Sequence, residues 1–440
     1  MQTRIPPDQL ARPGVAQIDS ILRSCVHCGF CNATCPTYAL LGDELDGPRG
    51  RIYQVKSWLE EGRAPSASDA KHIDRCLSCL ACVTTCPSGV DYMHLVDFAR
   101  AEVESSAART RSERMFRAVL GRIVTDARLF RRALRIGRLF RPLARLTPAR
   151  MRALFDLLPE PAPPRPELVP SQAPRSLPQA AAARRRVALV RGCVQDELRP
   201  GINDAALRVL GRLGCEVREL GSRYCCGALA HHLGQTRRAH EAAAATAHEL
   251  GRLIGEHGVD TIVASASGCG TMLKDYAQVF RESDEPASLG AEIAARTRDI
   301  GELVGELGGV SQMLAGSASG AHAGTRVAVH SPCSIHHGQR LGDRNSALLA
   351  AAGYATSTLP EPHMCCGSAG VYNVLQPALA RELRARKVAF IRESRAAVVA
   401  TANIGCLMQL RAGLREAGLD TPVVHAIELM DAATADQKSE

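Results

Sequence analysis

"CVHCGFCNATCP", residues 25–36, and "CLSCLACVTTCP", residues 76–87, decide how this chain is read. Each has the spacing C-x2-C-x2-C-x3-C-P: Cys25, Cys28, Cys31 and Cys35 before Pro36, then Cys76, Cys79, Cys82 and Cys86 before Pro87. Three thiolates within seven residues can cap three irons of one cube. The fourth, set apart and followed by proline, turns toward the other cube. The spacing predicts two [4Fe–4S] clusters with crossed ligand sets. Cys25, Cys28 and Cys31 join Cys86; Cys76, Cys79 and Cys82 join Cys35. Zinc also accepts four cysteines, but its sites usually pair two close cysteines with two distant ones. The same C-P-terminated run occurring twice favours iron and sulfide. The small residues Gly29, Ala33, Ser78 and Ala81 let backbone N–H groups approach the sulfurs, a contact that tunes cluster potential.

Between the runs lies "LLGDELDGPRGRIYQVKSWLEEG", residues 40–62. Gly42 to Gly50 reads as a turn-rich loop, and Ile52 onward as a helix that Gly62 ends. Arg49 and Arg51 either neutralise an anionic cluster or pair with Asp43, Glu44 and Asp46; the sequence favours pairing at the surface.

Downstream the charge is uneven. Residues 109–152 hold fourteen arginines against Glu113 and Asp126, a net +12 within a chain of net +9. From Ser112 to about Arg141 the period is helical, with Phe116, Val119, Leu120 and Ile123 on one face. Farther on, Leu129, Ala133, Ile136, Phe140 and Leu143 face away from Arg128, Arg131, Arg132, Arg135 and Arg138, and Pro142 should kink or end the helix. Three readings follow: a helix packed on the cluster domain with solvated arginines, a helix on the anionic inner-membrane face, or a dock for an acidic partner. No zinc-finger spacing or aromatic RNA-binding signature accompanies the charge, so no nucleic acid is expected. Residues 158–178 carry eight prolines, which reads as an extended linker and a domain boundary.

The remainder is a tandem duplication. "RVALVRGCV" (186–194) matches "RVAVHSPCS" (326–334), "YCCGALA" (224–230) matches "MCCGSAG" (364–370), and "TIVASASGC" (261–269) matches "AVVATANIGC" (397–406). Cys193 and Cys333 are 140 residues apart, as are Cys225 and Cys365; Cys269 and Cys406 are 137 apart. Each unit reads strand, Cys, helix, strand, CCG, helix, strand, Cys. In the first, the strands are Val187 to Val190, Glu216 to Leu220 and Thr261 to Ala264. Its helices are Asn203 to Leu213 and Arg237 to His257. Alternating strands and helices predict a parallel sheet, whose C-terminal strand edges gather ligands. Cys193, Cys225, Cys226 and Cys269 should meet there, as should Cys333, Cys365, Cys366 and Cys406. Four convergent thiols favour a metal or cluster over small buried residues. Cys215 has no counterpart in these sets and reads as ordinary core. His231, His232, His336, His337 and His363 flank the loops as metal ligands, proton relays or structural residues.

The expected fold class is α+β multidomain: a helical ferredoxin-like domain followed by two tandem α/β, Rossmann-like cysteine-rich CCG repeats. The expected boundaries are 14–104 for the two clusters, 105–155 for the basic segment, 156–183 for the linker, and 184–316 and 317–440 for the repeats. The 440 residues are long for one core. Seventeen cysteines, an N-terminus without an apolar secretory stretch and no run of eighteen apolar residues point to a reducing cytoplasm. No GxGxxG follows a predicted strand, so neither a flavin nor a nicotinamide site is expected here, and no residue is assigned a catalytic role.

On "CVHCGFCNATCPTYALLGDELDGPRGRIY", "CLSCLACVTTCPSGVDY", "GALAHHLG" and "SPCSIHHGQR", nearly the whole chain resembles the iron–sulfur subunits of glycolate oxidase. The resemblance implies FAD-bearing partner subunits in a hetero-oligomer that oxidises glycolate to glyoxylate. Electrons would pass to a quinone or another acceptor. The eight N-terminal cysteines carry over as ligands of two [4Fe–4S] clusters. Related subunits of D-lactate, anaerobic glycerol-3-phosphate and heterodisulfide enzymes are alternatives. In heterodisulfide reductase the cysteine-rich domain ends in CxxC and gives five thiolates to a non-cubane cluster. Here Met272 and Gln409 stand at the last position, four thiolates remain per repeat, and zinc, a labile cluster or an empty site stay open.

Overall fold

A computed structural model describes residues 1–156, 158, 185–221, 223–281, 285–310 and 322–435. The expected linker lies almost entirely outside them.

The N-terminal part is helical. Val15–Ser24, Pro48–Glu60, Ala67–Asp74 and Tyr92–Ser105 bury one core. Val15, Ile18, Leu22, Ile52, Val55, Trp58, Leu95, Val96 and Ala99 fill it, with Cys25, Cys76 and Cys82 at its edge. The cysteine runs thus hang on a packed frame. The Pro48–Glu60 helix begins four residues before the expected Ile52, because Pro48 occupies its first turn, where no N–H is needed. Gly50 is required there: a Cβ would sit 2.0 Å from the Glu44 carbonyl oxygen.

The helix expected from Ser112 to about Arg141 is two helices, Arg111–Thr125 and Ala127–Phe140. Asp126 separates them. Its carboxylate accepts from the N–H groups of Arg128 and Leu129, an N-cap that starts a new helix. The expected apolar faces hold only in part: Phe116 and Leu120 pack as expected. Leu120 and Val124 pack on Leu233, Val371, Val374 and Leu375 of the repeats, while Val119 is exposed. In the second helix Leu134 is buried, and Ile136, Leu139 and Phe140 stand in solvent beside the exposed Arg128, Arg132, Arg135 and Arg138. The helix ends at Phe140, just before Pro142.

Each repeat contains a four-stranded, all-parallel sheet. The first has strands β1 (Arg185–Val190), β2 (Cys215–Leu220), β3 (Thr261–Ala264) and β4 (Thr297–Asp299) in the order β2-β1-β3-β4. The second has β5 (Arg326–His330), β6 (Ala355–Thr358), β7 (Val398–Thr401) and β8 (Val423–His425) in the order β6-β5-β7-β8. The short fourth strands, three residues each, carry no periodic signal of their own and escape the sequence reading. The registers are duplicated as well: Val187 faces Thr261 across β1 and β3, and Val327 faces Val398 across β5 and β7.

A single apolar core joins the repeats. It runs from Val187, Leu189 and Ile202 through Val327, Val329, Leu407 and Ile427. The Ala426–Thr434 helix closes it against Gly201–Arg212 through Asp431, which is fully buried and lies 2.6 Å from Arg208 and 2.9 Å from Arg212. No helix among the described residues is long and apolar enough to cross a membrane.

Candidate metal centres

The two N-terminal cysteine runs fold into the same loop. Cys25 caps the Val15–Ser24 helix, Cys31 sits on the Phe30–Ala33 turn and Cys35 precedes Pro36–Leu41. Cys82 and Cys86 repeat the last two places on and after Ala81–Thr85. His27 and Ser78, equivalent in the two runs, both have positive φ, 62° and 48°; so do Gly29 and Leu80, at 86° and 63°. Leucine in that region costs roughly 1–2 kcal/mol. Such strain persists where surrounding structure fixes a ligand clamp.

The loops enclose two cavities. One is lined by Cys25, Cys28, Cys31 and Cys86, with Cys82 on its wall. The other is lined by Cys35, Cys76, Cys79 and Cys82. The fourth cysteine of each run therefore faces the cavity of the other run. Pro48, Cys82 and Tyr92 line both cavities, so one thin wall separates them. Among the described residues no carboxylate lines either cavity, and the eight cysteines are free thiols. Soft thiol donors without oxygen ligands suit an iron–sulfur cube. Burial raises the Cys79 and Cys82 thiols well above their ordinary range and Cys31 to about 11, so binding metal must expel protons.

Each cavity also has one arginine in its lining. Arg49 lines the first, with Nε 2.6 Å from Glu44. Arg51 lines the second and is buried; its Nε donates to the His72 carbonyl at 2.8 Å, and Nη2 donates to Thr37 Oγ1 at 3.1 Å and lies 3.7 Å from Asp46. The surface pairing expected from the sequence holds for Arg49 alone. Asp46 is buried between Arg51, His72 and Arg75. It draws Arg51 inward, where the guanidinium can offset cluster charge. Tyr92, whose hydroxyl donates to Cys76 Sγ at 3.8 Å, is a further residue the motif reading passes over. It follows the second run as an ordinary helix-start residue.

The repeat cysteines gather at the C-terminal strand edges. Cys193 and Cys225 Sγ are 3.5 Å apart, and Cys226 hydrogen-bonds Cys269. Cys366 and Cys406 Sγ are 3.2 Å apart, and Cys333 hydrogen-bonds Cys365. Hydrogen bonds from Cys193 and Cys226 hold the Cys225 thiol well below its ordinary range. The glycine of each CCG turn is obligatory. Gly227 and Gly367 both have φ of 87°, and a Cβ on either would lie 2.6 Å from a helix carbonyl, that of Ala239 or Ala380. The missing fifth thiolate is replaced by packing: Met272 sits in the apolar core, and Gln409 bonds Asn373 and the Ala380 carbonyl, each at 3.2 Å. Cys215 lies in the shared core, as expected.

The repeats also hold the cluster loops. Arg100 donates to the Cys76 carbonyl at 2.6 Å and to Ser78 Oγ at 2.5 Å. On the same helix Asp97 meets His231 at 3.2 Å, and His94 lies between Asp91 at 2.5 Å and Asp275 at 3.0 Å. Burial opposes the His94 charge, but the two carboxylates raise its pKa to about 10. Thr84 and His337 Nδ1 are 2.7 Å apart, and Leu77 and Cys79 share one apolar cluster with Met364, Cys365 and Tyr372. His231 and His337 thus act as docking residues. His232 and His336 each keep a buried Nδ1 without a hydrogen-bond partner, and His363 contributes its carbonyl to His337.

Comparison with known proteins identifies the domains and the family. The 4Fe-4S dicluster domain model matches residues 21–90, so the chain carries two [4Fe–4S] clusters. The cysteine-rich domain model matches residues 187–274 and 327–411. The glycolate oxidase iron–sulfur subunit of Escherichia coli (strain K12) is 37% identical over 98% of this chain and 99% of its own length. The probable glycolate oxidase iron–sulfur subunit of Bacillus subtilis (strain 168) is 27% identical over 93% of both. Lactate utilization protein A of Bacillus velezensis is 27% identical over 56% of this chain. The chain belongs to the family of glycolate oxidase iron–sulfur subunits.

Proposed function

We propose that this chain conducts electrons within a glycolate-oxidising complex. A flavin on a partner subunit would supply the hydride chemistry with glycolate, which is the cofactor's own. This chain's cysteines would hold the two clusters through which electrons pass singly toward a quinone or another acceptor. Cys25, Cys28, Cys31 and Cys86 hold one cluster, and Cys76, Cys79, Cys82 and Cys35 the other. The observation that carries this reading is the pair of four-cysteine cavities meeting across Cys82 and Tyr92. Two centres that close form a wire.

The chain's own residues set position and potential. Arg49 and Arg51 place positive charge beside the cavities, and N–H groups of Ser78 and Val90 point at Cys76 and Cys86 sulfurs from 3.4 and 3.5 Å. Exposed Ile136, Leu139 and Phe140 among arginines support a peripheral contact with an anionic membrane face, near a lipid-soluble acceptor. Anaerobically purified protein should contain about eight iron and eight sulfide per chain and show coupled cubane signals in EPR on reduction. Protein with zinc in the N-terminal sites and no iron would overturn the reading.

A further inference from the structure

The two repeats are alike in register but differ at one buried position. β1 ends on Val190, and β5 ends, 140 residues later, on His330. His330 is 3% exposed, and its Nε2 has no hydrogen-bond partner. Leaving a buried polar nitrogen unmet costs about 1–3 kcal/mol. Packing does not demand an imidazole, since valine fills the same place in the first repeat. The His330 ring has company of one chemical kind: a ring nitrogen and the sulfurs of Cys366 and Cys406 lie within 4.8 Å of one another, all three residues buried.

We propose that His330, Cys366 and Cys406 bind a single zinc-class divalent cation, making the second repeat a metal site of a kind the first is not. Bonds of about 2.3 Å to sulfur and about 2.0 Å to nitrogen allow two donors on one ion to stand no more than roughly 4.6 Å apart. The 3.2 Å between the two sulfurs already meets that limit, and a ring nitrogen of His330 lies within 4.8 Å of both. Cys365, whose thiol hydrogen-bonds Cys366, stands beside this three-donor set, and water takes the fourth position of the tetrahedron. The thiols lose their protons to solvent as the ion binds, and no electron is transferred. The ion ties the edges of β5, β6 and β7 together. Because Cys365 and Cys79 share one apolar cluster, it also fixes the wall against which the second iron–sulfur loop rests.

The test is zinc and iron content of the full chain, expressed with zinc in the medium and purified anaerobically. About one zinc per chain is expected beside the N-terminal iron. His330→Val, which installs the residue of the first repeat, should lower zinc roughly tenfold or more while iron is retained. Cys406→Ser should do the same, and Cys193→Ser should leave zinc unchanged. The His330→Val protein should also show an altered EPR line shape for the second cluster alone. Wild-type protein without zinc, zinc retained in His330→Val, zinc lost in Cys193→Ser, or additional iron that depends on Cys406 would each overturn the proposal.

Discussion

Serine at Cys28 is expected to reduce electron delivery to the acceptor to background, while glycolate still reduces the partner flavin. Cys28 is exposed and contributes little to the core, so the fold should survive. What is lost is a soft thiolate in a set where a serine oxygen is a poor substitute. Cys79→Ser should have the same effect from the second cavity, at a higher structural cost, because Cys79 also packs on Cys365. Stopped-flow absorbance resolves the outcome: flavin bleaching on addition of glycolate at the wild-type rate, with no acceptor reduction after it. Acceptor reduction at the wild-type rate in either variant would remove that cluster from the path.

Arg51→Met should be the most damaging charge substitution in the cluster domain. Asp46 is fully buried, and Arg51, His72 and Arg75 share its charge. Removing one partner of a buried ion pair costs about 3–5 kcal/mol. The substitution also strips a donor from the His72 carbonyl and from Thr37. Thermal unfolding should move to distinctly lower temperature. The cluster between Cys35, Cys76 and Cys79 should take up electrons at a lower potential, because a positive charge that favours the reduced, more anionic cube is gone. Arg51→Lys should fall in between, since it keeps the charge but loses the two-donor fork. Unchanged unfolding and an unchanged potential in the methionine variant would show that Arg51 neither braces the loop nor tunes the cluster.

These two substitutions also mark what the sequence reveals and what it hides. The role of Cys28 follows from spacing, because cluster ligation is a local pattern that two short loops must satisfy. The duplication is legible for the same reason: constant offsets between cysteines survive divergence elsewhere. Arg51 reads as a surface residue beside acids, since nothing local shows that Asp46 is enclosed by the helices carrying Arg51 and His72 and by Arg75 just after the second. The break at Asp126 hides inside a continuous helical period, because one N-capping carboxylate outweighs a favourable pattern on either side. Val119, Ile136 and Phe140 fit the apolar stripes yet stand exposed, while Leu120 of the same stripe and Val124 outside it pack on the repeats. Tertiary packing, not periodicity, chooses the buried face. His330 is invisible until the sheet is built, for it precedes Cys333 by three residues yet stands within 4.8 Å of Cys366 and Cys406, which follow other strands.

In the proposed complex, electrons cross both clusters on the way from flavin to acceptor. Freeze-quench EPR of the assembled complex, mixed with glycolate and stopped within a single turnover, follows that passage. Both cubane signals should rise after flavin reduction and decay, as acceptor is reduced, at the rate of turnover. Acceptor reduced at full rate while both clusters stay oxidised and EPR-silent would rule the route out.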